Sequence, residues 1–351
     1  MALRIWIDAL TPKQALFANA MIEGASSKKY EILVTTRDYS ELNKFLSRLG
    51  LRFSSIGRHG GGDLTEKLRA SVLREEDLIS FAREHEFDCS FSFISPEAAR
   101  VSFGLGVPHF ICSDSPHSWA PSRLAVPLSS VLFSPFPIAT ERWTQYGIKK
   151  SQVLKYHALD PWTWLLKTKV KPSRKVNGKV VIRLEEWFAS YFKEGYGVSS
   201  VLNRLLEGIH QIGDFEVTLV PRYDDQREWA RKEFGDNARI PSDAIDGVDE
   251  ISKADLMIGG GATMTQEAAL LGVPNISYFP SAKLDVFTRY YFPKKLSVEA
   301  NTPAKLLNQT FGILKDIEKE KASFLLRAER ETSTFEDPVK FIFARLPESS
   351  S

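Results

Sequence analysis

The residues most capable of binding a ligand are three consecutive glycines, Gly259, Gly260 and Gly261, which separate a short apolar run from a helical pattern. Glycine lets the backbone approach a ligand closely, and a helix N-terminus offers N–H groups and partial positive charge to an anion. We therefore predict that these glycines and Thr263 hold a phosphate group. The alternative is a tight strand-to-helix turn without a ligand.

Glu267 lies one turn into the predicted helix, where its carboxylate could accept hydrogen bonds from two neighbouring hydroxyl groups. The glycine loop would hold the diphosphate and Glu267 the ribose, and together they would bind a nucleotide-diphosphate sugar. Thr263 is predicted to be the N-cap, with Gln266 as its capping-box partner. The alternative for Glu267 is a first-turn acid favoured by the helix dipole.

Two arginines stand at the carboxyl ends of other predicted strands in the second half of the chain. Arg183 lies in the strand predicted over 180–184, and Arg222 follows the strand predicted over 216–220. A guanidinium binds phosphate oxygens through two parallel hydrogen bonds, so we predict that both arginines contact the same nucleotide sugar. The alternative is that they are solvated loop residues.

In the first half, the loop 113–119 follows a predicted strand and combines serine, aspartate and histidine. Asp114 and His117 are predicted to form a catalytic acid/base pair, with His117 the better proton carrier near neutral pH. The alternative is an Asx-type turn at Ser113 and Asp114 beside a surface histidine.

Further residues of the first half are predicted to line the same cleft. Thr11 and Lys13 stand at the start of the first helix, and His59, Gly60 and Gly61 belong to a second junction of strand, glycines and helix. The alternative for this junction is a flexible loop with solvated charges.

Strands and helices alternate along the chain, which indicates parallel sheets. The alternation breaks over the lysine-rich segment 160–177, which we interpret as a linker. We therefore predict an α/β protein with two Rossmann-like parallel-sheet domains facing each other across a cleft. The domains cover 1–160 and 178–330, and a helix and tail at 331–351 pack back on the first. No G-x-G-x-x-G sequence follows the first strand, which argues against NAD and FAD.

Composition narrows the possible partners. The net charge is +2 and is spread evenly, so no nucleic-acid partner is expected. Cys89 and Cys112 lie in apolar runs and are predicted to be buried free thiols. No signal peptide is recognisable, and no apolar run approaches the roughly 20 residues that span a bilayer. We expect a cytoplasmic protein; peripheral contact with a membrane and the oligomeric state stay open.

Segments 5–14, 34–39, 113–117 and 221–223 resemble a largely archaeal family, domain of unknown function 354, and the resemblance covers about 1–345. The loop 259–267 is similar to the donor-site segment of UDP-N-acetylglucosamine 2-epimerase and of the lipid-linked peptidoglycan N-acetylglucosaminyltransferase. In those enzymes the loop holds diphosphate and the glutamate holds ribose. The resemblance implies a GT-B-like fold.

The resemblance leaves three functions open. The first is a metal-independent glycosyltransferase that uses a nucleotide sugar, with UDP favoured, and an acceptor that is a sugar, a lipid-linked compound or a small molecule. The resemblance implies that it needs no cofactor and no metal, because in GT-B enzymes the helix dipole and arginines stabilise the departing diphosphate. Asp224 and Asp225 are adjacent and do not have the Asp-x-Asp spacing of a metal motif. The second is a nucleotide-sugar 2-epimerase, although the epimerases' His-Arg-Arg-Glu-Asn run has no counterpart here. The third is a non-catalytic nucleotide-sugar-binding protein.

Overall fold

The computed structural model describes residues 2–25, 29–38, 40–185, 197–243, 245–279 and 284–347. The chain forms two compact units, Met1–Lys167 with Glu336–Ser351, and Thr168–Phe335. The sequence pattern places the domain boundaries at 160, 178 and 331. In the structure the chain leaves the first unit after Lys167 and returns to it at Glu336.

The first unit contains a parallel sheet of seven strands within the described residues, in the order β3-β2-β1-β4-β5-β6-β7. The strands are β1 (Leu3–Asp8), β2 (Tyr30–Asp38), β3 (Ser54–Arg58), β4 (Cys89–Ser92), β5 (His109–Cys112), β6 (Val131–Pro135) and β7 (Val153–Tyr156). Strand β3 begins three residues later than the sequence predicts, because the apolar residues of 51–53 pack with the second helix instead.

The helices of the first unit connect these strands. They are α1 (Pro12–Gly24), α2 (Ser40–Arg48), α3 (Leu64–Glu84), α4 (Pro96–Gly104), α5 (Trp119–Ala125), α6 (Glu141–Thr144) and α7 (Trp162–Leu165), with 3-10 turns at Val126–Leu128 and Lys150–Gln152. Helix α7 lies inside the segment that the sequence pattern assigns to the linker. The segment is therefore partly folded, because Trp164 and Leu165 are buried.

A buried ion pair holds α3 against the sheet of the first unit. Arg74 is 1% exposed, and its two terminal nitrogens lie 3.1 and 2.6 Å from the carboxylate oxygens of Asp8. Its Nε donates to the carbonyl of Ile56 at 3.0 Å. This forked geometry compensates for the loss of water around both charges.

His109 forms hydrogen bonds with two buried serines in the same sheet. All four residues of β4 are buried, including Ser90 and Ser92. His109 on β5 lies between them, with Nδ1 2.7 Å from the hydroxyl of Ser90 and Nε2 3.0 Å from that of Ser92. Burial lowers the pKa of His109 to about 3, although the Asp8 carboxylate raises it in part. The imidazole is therefore neutral at physiological pH.

The second unit contains a five-stranded parallel sheet within the described residues, in the order β12-β11-β10-β8-β9. Its strands are β8 (Lys179–Arg183), β9 (Glu216–Val220), β10 (Leu256–Gly259), β11 (Asn275–Tyr278) and β12 (Val298–Ala300). The central strands β10 and β11 are buried along their whole length, as expected for a parallel sheet covered on both faces.

The second unit also contains most of the C-terminal helices. They are α8 (Leu202–Ile212), α9 (Asp224–Phe234), α10 (Gly247–Lys253), α11 (Ala262–Leu271), α12 (Pro303–Lys315) and α13 (Ile317–Thr332), with a 3-10 turn at Val198–Val201 and a π-helical turn at Phe287–Tyr291. The final helix, α14 (Pro338–Phe343), belongs to the first unit. The segment 303–343 therefore forms three separate helices, and the first break falls at Asp316, whose φ of −116° and ψ of 33° are not helical.

Another buried ion pair joins three segments of the second unit. Asp255, which precedes β10, is 0% exposed and accepts from the backbone nitrogens of Asn177 and Lys179. The ammonium of Lys321 on α13 lies 2.5 Å from its Oδ1. The predicted free cysteines, Cys89 and Cys112, are both buried and unpaired with each other.

Candidate functional site

Three neighbouring strands of the second unit end at one edge of the sheet. Gly259 of β10 lies beside Arg183 of β8, and Arg183 lies beside Val220 of β9. The glycine loop follows β10, and Arg222 stands two residues beyond the end of β9. Because ligands of open parallel sheets bind at such carboxyl ends, this edge is the candidate binding site of the second unit.

Internal packing explains two of the three glycines. A Cβ atom on Gly259 would overlap the hydroxyl of Thr265, which donates a hydrogen bond to the carbonyl of Gly261 at 2.9 Å. A Cβ atom on Gly260 would lie 2.8 Å from the backbone nitrogen of Glu185. These two positions need glycine whether or not a ligand binds, and Thr265 is a residue that the glycine pattern alone did not reveal.

The third glycine is next to a cation. A Cβ atom on Gly261 would overlap Nη2 of Arg222, so the guanidinium of Arg222 lies directly over this residue. Two contacts fix the arginine: its Nε donates to the carbonyl of Leu184 at 3.0 Å, and its backbone nitrogen donates to Oε1 of Gln226 at 2.7 Å. Gln226, which is fully buried, was not predicted as part of the site.

Helix α11 begins directly under this guanidinium. Its N-cap is Gly261, and no side chain caps it. The prediction that Thr263 is the N-cap and forms a capping box with Gln266 is wrong, because the helix begins two residues earlier than that cap implies, at Ala262, and Gln266 is 1% exposed. The start of α11 therefore presents backbone N–H groups that no side chain caps. Thr263 is partly exposed in the first turn of this helix.

Arg183 and Glu267 complete the predicted nucleotide-sugar set. Nη1 of Arg183 donates to the carbonyl of Pro221 at 2.6 Å, which ties the half-buried guanidinium to the end of β9. Glu267 is 2% exposed, and its Oε2 would lie 3.7 Å from a Cβ on Gly247, the first residue of α10. The phosphate role of Arg183 and the ribose role of Glu267 stay predictions.

The glycine junction of the first unit differs from that of the second. The N-cap of α3 is Asp63, whose carboxylate accepts from the backbone nitrogen of Glu66 at 2.9 Å. A negative side chain therefore occupies the helix start where an anion would bind. A Cβ on Gly60 would lie 2.5 Å from Cα of Lys67, so this glycine is required by close packing on α3.

His59 of this junction faces positive charges. Its Nδ1 accepts from the backbone nitrogen of Gly61 at 3.1 Å. Burial lowers the pKa of His59, and the charges of Arg37 and Lys67 lower it further. The imidazole is held neutral, and the cleft-lining role of His59, Gly60 and Gly61 stays a prediction.

Thr11 is the N-cap of α1. The hydroxyl of Thr11 accepts from the backbone nitrogen of Gln14 at 3.4 Å. Gln14 accepts from the nitrogen of Leu10 at 2.6 Å and donates to the carbonyl of Phe93 at 3.3 Å. The amide of Gln14 thus joins the loops that follow β1 and β4, the two strands between which the direction of the sheet connections changes.

Asp114 is held by a lysine from the start of α1. Its Oδ2 lies 2.7 Å from Nζ of Lys13, and its Oδ1 accepts from the hydroxyl of Ser115 at 2.8 Å. Asp114 is 6% exposed, and His117 lies partly exposed in the same loop. The structure therefore connects Lys13 to Asp114, and the catalytic roles of Asp114 and His117 stay predictions.

Asp160 is the acid that the sequence pattern missed. Its Oδ2 lies 2.7 Å from the same Nζ of Lys13, and its Oδ1 accepts from the hydroxyl of Tyr156. The residue was assigned to the linker because proline and tryptophan follow it. In the structure Asp160 belongs to the first unit and follows β7, whose last residue is Tyr156.

No group of three or more His, Cys, Asp or Glu side chains in the described part of the chain is arranged to hold a metal ion. The same residues include no helix that is long and apolar enough to span a membrane.

A family model described as "Protein of unknown function (DUF354)" matches residues 3–350 of the sequence. The chain belongs to this family. An uncharacterised protein of Methanocaldococcus jannaschii is 24% identical to this DUF354 protein over 320 residues, which are 87% of this chain and 90% of the relative. The predicted resemblance is confirmed.

Two solved structures show the fold of this DUF354 protein. A Listeria monocytogenes protein assigned as a UDP-N-acetylglucosamine 2-epimerase has a TM-score of 0.71 at 12% identity, over 100% of this chain and 99% of that one. MurG of Acinetobacter baumannii has a TM-score of 0.57 at 14% identity, over 98% of each chain. The predicted fold class, an α/β protein of GT-B type with two Rossmann-like parallel-sheet domains, is confirmed.

Proposed function

We propose that this protein is a GT-B-type glycosyltransferase that binds a nucleotide-diphosphate sugar, with UDP as the nucleotide, and transfers the sugar to an acceptor hydroxyl group. The donor binds to the second unit, at the start of α11. A cytoplasmic location, in which the acceptor is met in solution or at a membrane surface, is part of this proposal.

The observation that carries the proposal is the position of the Arg222 guanidinium over Gly261, at a helix start without a side-chain cap. Backbone N–H groups, the helix dipole and a guanidinium together favour an anion with several oxygens, and a diphosphate is such an anion. The matching helix start in the first unit is closed by Asp63, so the observation favours the second unit as the diphosphate site.

The same groups would stabilise the leaving group of the reaction. When the sugar leaves, negative charge develops on the diphosphate, and Arg222 with the start of α11 would stabilise that charge. Positive charge supplied by the protein itself removes the need for a metal ion or other cofactor at the diphosphate. Arg183 is the second candidate cation, and Glu267 the candidate ligand of the ribose hydroxyls.

The first unit supplies the base in this proposal. Asp114 or His117 takes the proton of the acceptor hydroxyl, the acceptor oxygen forms a bond to the anomeric carbon, and the bond from that carbon to the diphosphate breaks. The electron pair of the broken bond leaves on the diphosphate. Replacement of either base, by Asp114→Asn or His117→Ala, is expected to lower turnover by about 10²–10⁴-fold while UDP affinity survives.

The binding step is tested by titration calorimetry with UDP, UDP-sugars and other nucleoside diphosphates. Arg222→Ala should weaken UDP affinity by about 1.5–3 kcal/mol, the range for a hydrogen bond to a charged group. Arg231→Ala, an exposed arginine on α9, is the matched control and should leave affinity unchanged. Equal affinity of wild type and Arg222→Ala would remove the diphosphate from this position.

The reaction is tested by release of nucleoside diphosphate from labelled UDP-sugars in the presence of sugar, lipid-linked and small-molecule acceptors. Release that requires an acceptor supports the transferase. Interconversion of sugar epimers without an acceptor would instead show a 2-epimerase, and binding without either reaction would show a binding protein.

A further inference from the structure

A buried polar cluster in the first unit joins the start of α1 to the ends of β5 and β7. We call Lys13, Asp114, Tyr156 and Asp160, with the thiol of Cys112, the Lys13 cluster. The lysine nitrogen lies 2.7 Å from one oxygen of each carboxylate. The hydroxyl of Tyr156 donates to the other oxygen of Asp160, and the sulfur of Cys112 lies 3.6 Å from that hydroxyl.

The members of the Lys13 cluster differ in exposure. The side chain of Asp160 is 2% exposed, that of Asp114 is 7% exposed and that of Lys13 is 22% exposed. Asp160 is therefore the innermost carboxylate and has both oxygens occupied by protein donors. Lys13 and Asp114 are more exposed to solvent than Asp160.

Two carboxylates share one ammonium group, so the charged cluster has a net charge of −1. Burial lowers the pKa of Lys13, but the carboxylates of Asp114 and Asp160 raise it well above its usual range, so the lysine stays charged. Burial raises the pKa of Asp160, and the nearby Asp114 raises it further, against the opposing effects of Lys13 and Tyr156. Because the two carboxylates are buried and carry more negative charge than Lys13 neutralises, the pair tends to bind one proton.

We propose that Asp160 is a positioning residue of the transfer reaction: by sharing Lys13 with Asp114, it fixes the Asp114 carboxylate in place and keeps it basic enough to accept the proton of the acceptor. The inference rests on the proposed function in one respect, the role of Asp114 as the base. Tyr156 supports Asp160 through its hydrogen bond.

The sharing of Lys13 predicts effects of opposite sign. Asp160→Asn removes a negative charge and gives the ammonium wholly to Asp114, so Asp114 should become a weaker base. Lys13→Met removes the only cation of the cluster and leaves two carboxylates side by side, so Asp114 should become a stronger base. A residue that only maintained the fold would not produce opposite shifts in the two variants.

The Lys13 cluster contains two further titratable groups, Cys112 and Tyr156. Burial raises the pKa of the Cys112 thiol, and the charge of Asp160 raises it further, so the thiol stays neutral. Burial likewise raises the pKa of Tyr156. His117 lies in the same loop as Asp114, so each titration is repeated in a His117→Ala background.

The experiment is an NMR titration of protein with ¹³C-labelled aspartate carboxyl groups, in which Asp114→Asn identifies the Asp114 signal. We expect the titration midpoint of Asp114 to fall by about 1 pH unit or more in Asp160→Asn and to rise by about 1 pH unit or more in Lys13→Met. Tyr156→Phe should shift it in the same direction as Asp160→Asn, by less. Asp77→Asn, an exposed aspartate on α3, should not move it.

Several results would overturn the inference. Midpoints that do not move, or that move in the same direction in Asp160→Asn and Lys13→Met, would show that Asp160 does not act through Lys13. If Asp160→Asn does not fold, Tyr156→Phe decides the matter with Lys13→Met, because loss of the hydroxyl donor lets Asp160 bind a proton more readily and so weakens its negative charge beside Lys13. Because the NMR titration needs no turnover, it tests the inference independently of the reaction.

Calorimetry with UDP separates failure of the inference from failure of the proposed function. All variants of the Lys13 cluster should bind UDP like wild type, because the diphosphate is assigned to the second unit. Absence of UDP binding by the wild type would contradict the proposed function alone. Once turnover is measured, the acidic limb of the pH–rate profile of Asp160→Asn should move to lower pH and its plateau should fall.

Discussion

The guanidinium of Arg222 occupies the space that any side chain at Gly261 would need. The arginine is fixed by the carbonyl of Leu184 and by Gln226, which lie on other segments of the second unit. Gly261 therefore leaves room for the guanidinium of Arg222. We expect an anion to bind next to this guanidinium.

Gly261→Ala should push the Arg222 guanidinium away from the start of α11. The clash is with the end of a flexible side chain, so we expect little loss of stability but a loss of UDP affinity of up to about 1.5–3 kcal/mol, as for removal of the arginine. Gly312→Ala is the matched control, because among the described residues, apart from its own helix backbone and chain neighbours, no atom lies within 4 Å of its Cβ position. This control should keep UDP affinity and stabilise α12 by about 0.5–1 kcal/mol. Equal UDP affinities of the two variants would contradict the prediction.

Glu267→Ala should weaken UDP binding by about 1.5–3 kcal/mol if its carboxylate binds the ribose hydroxyls. The decisive comparison is calorimetry with 2′,3′-dideoxy-UDP, which lacks those hydroxyls and should bind wild type and variant equally. Glu228→Ala, an exposed acid on α9, serves as the control. An identical loss for both nucleotides would assign the nearly buried Glu267 to the fold alone.

Lys321→Met should lower the free energy of unfolding by about 3–5 kcal/mol, because it leaves the buried charge of Asp255 without its cation. Urea unfolding followed by circular dichroism measures the change. Lys319→Met, an exposed lysine on the same helix, should change the stability little. A loss below about 1 kcal/mol would mean that the three backbone contacts of Asp255 already suffice.

Stability should depend on pH through His109. Its folded pKa of about 3 lies below the value of about 6.5 expected in the unfolded chain, so between these values the unfolded state binds one more proton. The contribution is complete above pH 6.5 and falls by about 1.4 kcal/mol for each pH unit below it. Urea unfolding of wild type and His109→Gln between pH 6.5 and 5 should show a flatter dependence in the variant. His210→Gln, an exposed histidine on α8, should keep the wild-type slope.

Local patterns predicted much of the fold, and their failures have physical causes. The strand at Val153–Tyr156 and the cap at Thr11 follow from short apolar runs and from local hydrogen bonding, which the sequence records directly. The capping box at Thr263 failed because Gly261, which has no side chain, ends the extended backbone before α11. The capping pattern in the sequence does not distinguish an N-cap at Gly261 from one at Thr263, because the residues that follow either position can form the helix.

The candidate sites were predictable in part. The glycine loop and Asp114 were visible because ligand-binding residue types followed recognisable strands. Asp160, Gln226 and Thr265 were not, because each acts through a neighbour that is distant in sequence or across a turn.

The sequence by itself determined the alternation of strands and helices, the parallel sheets that this alternation requires, and the placement of glycines before α11. Only the tertiary structure decided that Arg222 lies over Gly261 and that Lys13 lies between Asp114 and Asp160. The reason is that strand order sets which loops meet at an edge, and burial then selects the charges that must pair there. The spacing of residues along the chain reveals neither the strand order nor which buried charges will pair.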